Sequence, residues 1–538
     1  MGTSWVGLLT FAVHLLDIRP GLVGVWCDDA IYVEMGASLA SGHGLTVASL
    51  PFSPESAKYP IGWPALLALL SGLGVDLGST AGLTVVLALN ALMWALAAQL
   101  LVSVVVPALG GGRVEQALVG LLVAVNTVTM AIVSTAMSEA MFTLALIGSV
   151  ALAARAVERP SRGALVGLSF AALAAGITRS VGGPLLLLGA ALALAWRRRG
   201  VALALGLGWL GTGAVTAAVR ARTPLPTGDR LSVLHYYVSY NEHIAYYTGP
   251  LADGRWAEAA DRLWRTLQLN AATGLSSLGS LLFPASFVGP GPEAVNTAPL
   301  GATLLVAGAA GAVVAPRTRP ALALIGAYAA IFFAWTWPFS VRFWAPIFPL
   351  LVATAVIALR QAGNVPRLLS GPLVALVVLA NGIRPIYVAS ARLSPAPGQS
   401  EVEDADLAGE AQLQRAVRPG DVLLGTHWSL WLARRAGASG LELEALLPAD
   451  DRLGVMLGQV DPIADAPRLT DALEAGLDAL IRELPEGAAV FIVRSATADS
   501  AAARRVAPLV EALQARGRLT PESATEALIL SRVTPADP

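Results

Sequence analysis

The chain has 538 residues, a mean hydropathy of +0.64, 55% hydrophobic residues and only 14% charged ones. A soluble domain carries about 25% charged residues, so this composition excludes an ordinary globular protein and indicates an α-helical polytopic membrane protein. The net charge of −1 argues against a nucleic-acid partner, and the single cysteine, Cys27, excludes an intramolecular disulfide or a Cys-rich zinc site.

An apolar run from Trp5 to Leu16 opens the chain without a basic flank or a small-residue cleavage site. It reads as a retained first span, closed by Asp17 and Arg19. A polar segment, Ile18 to Ala57, follows, and then Ile61 to Val75, which is short, opens with prolines and is expected to lie at the membrane face without crossing. Later apolar runs are expected at Ser79–Val106, Val114–Val133, Ala140–Ala156, Gly163–Thr178, Gly182–Trp196 and Val201–Val219. Four more follow at Ala298–Val314, Ala321–Trp337, Val341–Leu359 and Pro372–Val388. With the first, that makes about eleven spans, each needing roughly 17–25 apolar residues to cross.

Basic residues in the short loops set the orientation. If the Asp28 segment lies outside, Arg113, Arg155, Arg159, Arg162, Arg197, Arg198, Arg199, Arg317, Arg319, Arg360 and Arg367 all fall inside. Lys58 is the only lysine among 36 basic residues. That arginine bias fits a GC-rich bacterial genome and hence the cytoplasmic (inner) membrane. Residues 18–78 and 220–297 are expected as two outer loops of a membrane domain covering 1–393. Residues 394–410, with Pro395, Pro397 and the acidic run Glu401 to Asp406, read as a linker. Residues 411–538 read as a small extracytoplasmic α/β domain, with strands at Asp421–Gly425, Ala489–Val493 and Ala527–Val533. Its helices are expected at Asp471–Leu484 and Ala501–Arg516.

Charged groups in so apolar a chain are costly near lipid and persist where they face a cavity or do chemistry. Asp28 and Asp29 directly follow the first span. They either cap a surface helix through its dipole or supply a general base for an acceptor hydroxyl, with a divalent metal left open. A helix starting there places Asp28 and Tyr32 four apart. Lys58, beside Tyr59, is either an interfacial anchor or a partner for a lipid phosphate. Glu139, Arg179, Arg342 and Arg384 fall at outer ends of spans. Outer arginines run against the positive-inside tendency, so they are either structural ion pairs or partners for an anion, which the guanidinium fork suits. Tyr236, Tyr237, Tyr240, Tyr246 and Tyr247 are five of the nine tyrosines. Tyr236, Tyr240, His243 and Tyr247 share one helical face, as an interfacial belt or as the lining of a substrate groove. His43 sits between glycines as a turn residue. Gly72, Gly74 and Gly78 follow no strand and are no dinucleotide site.

In this order the pieces resemble the GT-C superfamily of glycosyltransferases, nearest the branch of protein O-mannosyltransferases and the lipid A aminoarabinose transferase. The residues that carry the likeness are Asp28-Asp29-Ala30-Ile31-Tyr32, Ala37-Ser38-Leu39-Ala40-Ser41-Gly42 and Lys58-Tyr59-Pro60-Ile61-Gly62-Trp63-Pro64. Ser138-Glu139, Thr178-Arg179 and Arg342-Phe343-Trp344-Ala345-Pro346 complete it. The likeness covers about residues 5–390 and leaves the C-terminal domain unexplained. Asp29 stands where Glu is commoner, and Ile61 replaces a second proline.

The resemblance implies transfer of a sugar from a polyprenyl phosphate to an acceptor hydroxyl on a glycan, lipid or protein at the outer face, with inversion. Asp28 would be the base, and Lys58, Arg342 and Arg179 would hold the leaving phosphate. Asp29, Tyr32 and Glu139 would position the loop and the acceptor. The resemblance makes no cofactor certain and leaves a divalent metal open, with membrane lipids as further partners. The rival from another class is a polytopic transporter or flippase for a lipid-linked or small substrate.

Overall fold

The computed structural model describes residues 4–18, 20, 23, 28–223, 226, 229–284, 297–363, 371–381, 413, 415–425, 438–456, 460, 462–495, 501–524 and 528–534. Cys27, Arg384, the acidic run and the expected linker lie outside these residues.

Helix α1 (Trp5–Leu15) packs on α4 (Thr80–Leu100). Small residues make the approach possible: the Gly7 N–H donates to Gln99 Oε1 at 3.0 Å. Between them in sequence lie α2 (Asp28–Ala40) and α3 (Gly62–Gly72), the latter being the segment expected not to cross. α2 and α3 pack face to face, and a side chain at Gly36 would meet Leu67 Cβ at 2.5 Å. α4 begins at Ser79, whose hydroxyl accepts the Gly82 N–H, and runs through a π turn at Leu101–Val105 to Ala108. Pro107 has no N–H to give the ladder, which fits the widened turn before it.

The run Val114–Val133 is two helices, α5 (Arg113–Ala124) and α6 (Thr127–Val133), bent by 55°. Asn126 at the break accepts the Thr129 N–H at 2.9 Å, ending one helix and capping the next. Four helices follow: α7 (Glu139–Glu158), α8 (Arg162–Thr178), α9 (Gly182–Ala195) and α10 (Arg199–Arg222). α8 and α10 pack through glycine, since a Cβ at Gly208 would lie 2.6 Å from Ala172 Cβ. Next come α11 (Asp229–Val238), α12 (Asn241–Ala252) and α13 (Trp256–Leu282).

The stretch expected as a second outer loop therefore holds a 27-residue helix, and the distal half of α13 lies among apolar helices. Asn270, Thr273, Ser276, Ser277 and Ser280 interrupt its apolar pattern. Each of them bonds backbone or a hydroxyl inside the protein. Asn270 Nδ2 alone donates to the carbonyls of Phe332, Phe333 and Trp335.

α14 (Ala298–Val314) and α15 (Arg319–Phe333) meet at 116° across a turn at Pro316. The expected span Val341–Leu359 is instead a short α16 (Val341–Trp344) and α17 (Phe348–Gln361), with Pro346 between them. α18 (Gly371–Asn381) is the described part of the last apolar run.

Among the described residues Thr80–Ala108, α7 and α10 are long and apolar enough to cross a membrane alone. Counting each bent pair as one span gives five, and the remaining apolar helices are 10–17 residues long. The sequence count of about eleven exceeds these figures because many runs end early at prolines and caps.

The C-terminal unit is a five-stranded sheet in the order β2-β1-β3-β5-β4. β1 (Val422–Gly425) runs parallel to β2 (Ser439–Glu442) and β3 (Val490–Ser495). β5 (Leu528–Val533) runs antiparallel to β3 and to β4 (Leu519–Ala524). β2 and β4, both polar in sequence, were not expected. Helices α19 (Ala449–Met456), α20 (Ala466–Glu483) and α21 (Ala501–Ala515) complete the unit. α20 buries Leu469, Leu473, Leu477 and Leu480, the helical spacing that its sequence shows.

A side chain at Gly279 of α13 would fall 1.8 Å from the Thr297 carbonyl oxygen, whereas Gly213 of α10 has nothing within 4 Å. Gly279→Ala should therefore cost about 1–3 kcal/mol, while Gly213→Ala should be neutral or stabilise by about 0.4–1 kcal/mol. Thermal melts of the purified variants in detergent check this. Equal melting temperatures would mean that α13 does not pack where it is placed.

Candidate active site

Asp28 and Tyr32 stand one turn apart at the start of α2. A carboxylate there also gains about 0.3–1 kcal/mol from the helix dipole. The Lys58-Tyr59-Pro60 loop runs back over them into α3. At the end of α8 the chain turns extended at Arg179 (φ −139°, ψ 141°), which releases its side chain from the helix. Arg342 sits in the one-turn α16 that follows Trp335, Trp337 and Pro338. These separate segments close one cavity of about 170 Å³, which Asp28, Tyr32, Lys58, Tyr59, Arg179, Tyr240 and Arg342 all line.

Asp28 is its anionic centre. Arg342 Nη1 donates to Asp28 Oδ2 at 2.8 Å, and the Tyr59 hydroxyl donates to Oδ1 at 3.0 Å. Burial works against the charged carboxylate. The Arg342 and Lys58 charges, with the hydrogen bonds from Tyr59 and Arg342, outweigh it and hold Asp28 below the usual carboxylate range. Lys58 Nζ donates to the Tyr236 carbonyl and lies 4.3 Å from the Tyr236 ring centroid and 5.4 Å from that of Tyr240. The rings hold the ammonium without neutralising it. Three cations and one carboxylate line the cavity, and Glu139 pairs Arg179 from behind.

Two expected residues lie elsewhere. Asp29 is fully buried, its Oδ1 accepts the Ala30 N–H at 3.0 Å, and it does not line the cavity. Glu139 also stands behind the wall, where it forms an ion pair with Arg179. Its contact is with the cation and not with the cavity.

Trp335 and Trp337, which sequence reasoning did not single out, form an aromatic wall of the cavity. The Trp335 ring stacks on His243 at 5.0 Å and meets Tyr240 edge-on at 5.5 Å, and Trp337 lies 6.1 Å from Tyr236. Burial, with the Lys58 and His235 charges, pushes His243 down to about 3. It therefore stays neutral at physiological pH. Ser180 donates to the Tyr240 hydroxyl at 3.3 Å and Ser138 to that of Tyr32 at 3.4 Å.

The C-terminal domain backs this wall. Arg452 of α19 is buried, forms an ion pair with Glu242 of α12 and lies 5.1 Å from the Tyr236 ring centroid. Its Nη1 also donates to the Ala445 carbonyl at 2.9 Å. The Glu442 N–H donates to the Tyr237 hydroxyl at 2.8 Å.

A divalent cation does not fit this site. Asp28 brings one carboxylate, its neighbours are cationic, and no three His, Cys, Asp or Glu residues converge among the described residues. The arrangement can hold an oxyanion on Lys58, Arg179 and Arg342. It can also present Asp28 to a proton and offer flat aromatic faces to a sugar or other ring.

No family model matches the chain, and no curated protein matches it. Among solved structures it is similar to ArnT from Cupriavidus metallidurans bound to undecaprenyl phosphate. That likeness has 14% identity and a TM-score of 0.49, covering 100% of this chain and 99% of the other. The apo state of ArnT from the same organism aligns at 13% identity and a TM-score of 0.46, over 94% of this chain and 93% of the other.

Breaking a buried ion pair at one end costs about 3–5 kcal/mol, and here Glu242 would keep only His235 Nδ1, 2.9 Å from its Oε1. Arg452→Met should therefore lower the melting temperature sharply, and adding Glu242→Gln should recover part of the loss. If Arg452→Met melts like the unaltered protein, the pair does not secure the domain.

Proposed function

We propose that the chain is a membrane glycosyltransferase of the GT-C kind. It moves a sugar from a polyprenyl-phosphate donor to an acceptor hydroxyl at the outer face of the cytoplasmic membrane. The observation that carries this reading is the cavity where Asp28 meets Arg342, Tyr59, Lys58 and Arg179. The outer-face assignment rests on the clustered arginines at the opposite helix ends.

In the resting site Asp28 is a weak base, because Arg342 stabilises its charged form. A phosphate drawn in by Lys58 and Arg179 competes for Arg342. As the guanidinium turns to the phosphate, Asp28 loses its strongest cationic neighbour and becomes more basic. The acceptor oxygen then attacks the anomeric carbon while its proton passes to Asp28. The bond from that carbon to the phosphate oxygen breaks, and its electron pair leaves with the polyprenyl phosphate. Lys58 and Arg342 stabilise that developing charge, so no separate acid is needed. Attack opposite the phosphate inverts the anomeric centre.

Tyr32, Tyr59 and Tyr240 border the reacting groups, and Trp335 and Trp337 offer stacking faces to the sugar. Asp29 supports the start of α2, and Glu139 fixes the direction of Arg179. The transporter reading fits less well. Transporters tend to bind substrate near the bilayer midplane between repeats, whereas these charges gather at helix ends.

Asp28→Asn keeps the side chain's shape and should still insert, with a lowered melting temperature because Arg342 loses its charged partner. It should lose about 10²–10⁴-fold in transfer rate per folded protein, the usual contribution of a general base. Mass spectrometry of envelope glycans and lipids from a deletion strain, complemented with either form, reads the result. Full complementation by Asp28→Asn would remove Asp28 from the reaction.

The pH profile gives a second test. Asp28 must be ionised to act, so activity falls as pH drops through its folded pKa, which lies below the ordinary 3.8. Arg342→Ala removes the nearest cation, raises that pKa and moves the acid limb to higher pH. It should also raise the KM for the polyprenyl-linked donor. An acid limb that does not move would tell against the Asp28–Arg342 coupling.

A further inference from the structure

A second, larger cleft of about 780 Å³ opens at the opposite ends of the same helices. The Asp28 cavity is bordered by Val181 and Pro184 at the start of α9 and by Ile331 and Phe332 at the end of α15. The larger cleft is bordered by Trp196 and Arg198 just past α9 and by Arg319 at the start of α15. Its lining runs along α9 from Gly182 to Trp196, which at 1.5 Å per residue is about 21 Å. The walls are leucine, valine, alanine and glycine. Small residues at Ala153, Gly189 and Ala193 leave the space open.

Its mouth is cationic. Arg198, Arg317 and Arg319 border it together with a single carboxylate, Glu158. Among the described residues neither Arg198 nor Arg317 has an ion-pair partner, and Arg319 uses its Nε to cap the Ala312 carbonyl at 2.8 Å. The backbone is bent to deliver one of them. Arg197 adopts φ 58°, a left-handed conformation that disfavours any residue with a Cβ, and it ends α9 with Arg198 N–H bonded to the Ala193 carbonyl at 2.7 Å. Arg198 follows directly at the mouth.

We infer that this cleft is a binding site for an anionic glycerophospholipid of the leaflet opposite the Asp28 cavity, with its phosphate on Arg198 and Arg317 and its acyl chains along α9. The charge selects the headgroup, because guanidinium forks pair with phosphate in a bidentate way. A zwitterionic lipid would bring its own cation to a site that already has two uncompensated ones. The length selects the chains: one leaflet of the hydrocarbon core is about 15 Å deep, so the cleft takes acyl chains whole. The volume lies near the top of the ~300–1,000 Å³ range of small-molecule pockets. A polyprenyl phosphate serving the Asp28 cavity would place its phosphate at the other end of these helices.

The test uses the full chain purified in detergent, with dioleoylphosphatidylglycerol, dioleoylphosphatidylcholine and a C55 polyprenyl phosphate as probes. On the unaltered protein, native mass spectrometry should show phosphatidylglycerol retained at least tenfold in preference to phosphatidylcholine, and the same lipid should raise the melting temperature. Arg198→Gln with Arg317→Gln should abolish both effects. Arg162→Gln, a cation at the same end that does not line the cleft, should keep them. Equal retention of the two phospholipids, or an unchanged preference in the double variant, would overturn the inference. So would displacement of phosphatidylglycerol by equimolar polyprenyl phosphate through the same two arginines, since the occupant would then be the carrier lipid. The comparison on unaltered protein stands even if the double variant does not fold. None of these outcomes depends on the reaction proposed at Asp28.

Discussion

A carboxylate drawn partly out of water keeps its charge where cations are fixed around it, and the Asp28–Arg342 bond supplies one across 314 residues of sequence. Isolated, Asp28 would take up a proton or draw in water. Isolated, Lys58 and Arg342 would repel one another in a small cavity, while Arg179 has Glu139 to balance it. Each therefore requires the others, and their backbones must arrive from different parts of the bundle. The positions of α2, α3, α8 and α16 follow from this constraint as much as from apolar packing.

The packing supplies the precision. α2 and α3 close on one another at Gly36. Where α13 enters the bundle, its polar residues meet carbonyls at the end of α15 and in the turn after it. Asn270 binds the carbonyls of Phe332, Phe333 and Trp335, and its Oδ1 accepts the Phe339 N–H at 2.9 Å. That one side chain shapes the segment between Trp335 and Arg342, which carries both the aromatic wall and the guanidinium. From the other side, Arg452 braces Tyr236, whose carbonyl and ring hold Lys58. The C-terminal domain thus braces the wall from behind and is not a separate appendage.

The charged half of the site was legible in the sequence because charge is conspicuous against so apolar a chain. Asp28, Lys58, Arg179 and Arg342 all stood out that way. Composition could not decide between Asp28 and Asp29: adjacent helical residues point about 100° apart, and only the direction of α2 settles which one faces the cavity. Glu139 was visible as a charge, but its service to Arg179 was not. Trp335 and Trp337 read like any aromatic pair at a span end. α13 was hidden by its polar residues, which in sequence look solvated and in the fold are satisfied internally. Arg452 lies in the C-terminal unit, whose sequence is richer in charge, so that an arginine there carries no signal.

The small size of the Asp28 cavity is itself informative. At about 170 Å³ it is well below the usual range for a ligand pocket, and the contacts that keep it small are the ones a phosphate would replace. While Arg342 stays on Asp28, the carboxylate is held in its charged form and the space is small. In the proposed reaction, a phosphate that recruits Arg342 would open room and strengthen the base in one exchange. In the proposed reaction, water admitted without a donor thus meets an aspartate too weakly basic to activate it. The arriving donor itself frees the base, so proton abstraction and leaving-group stabilisation begin together. A more open cavity holding an unpaired aspartate would bind donor more readily but lose that coupling, because its base would be competent before the phosphate arrived.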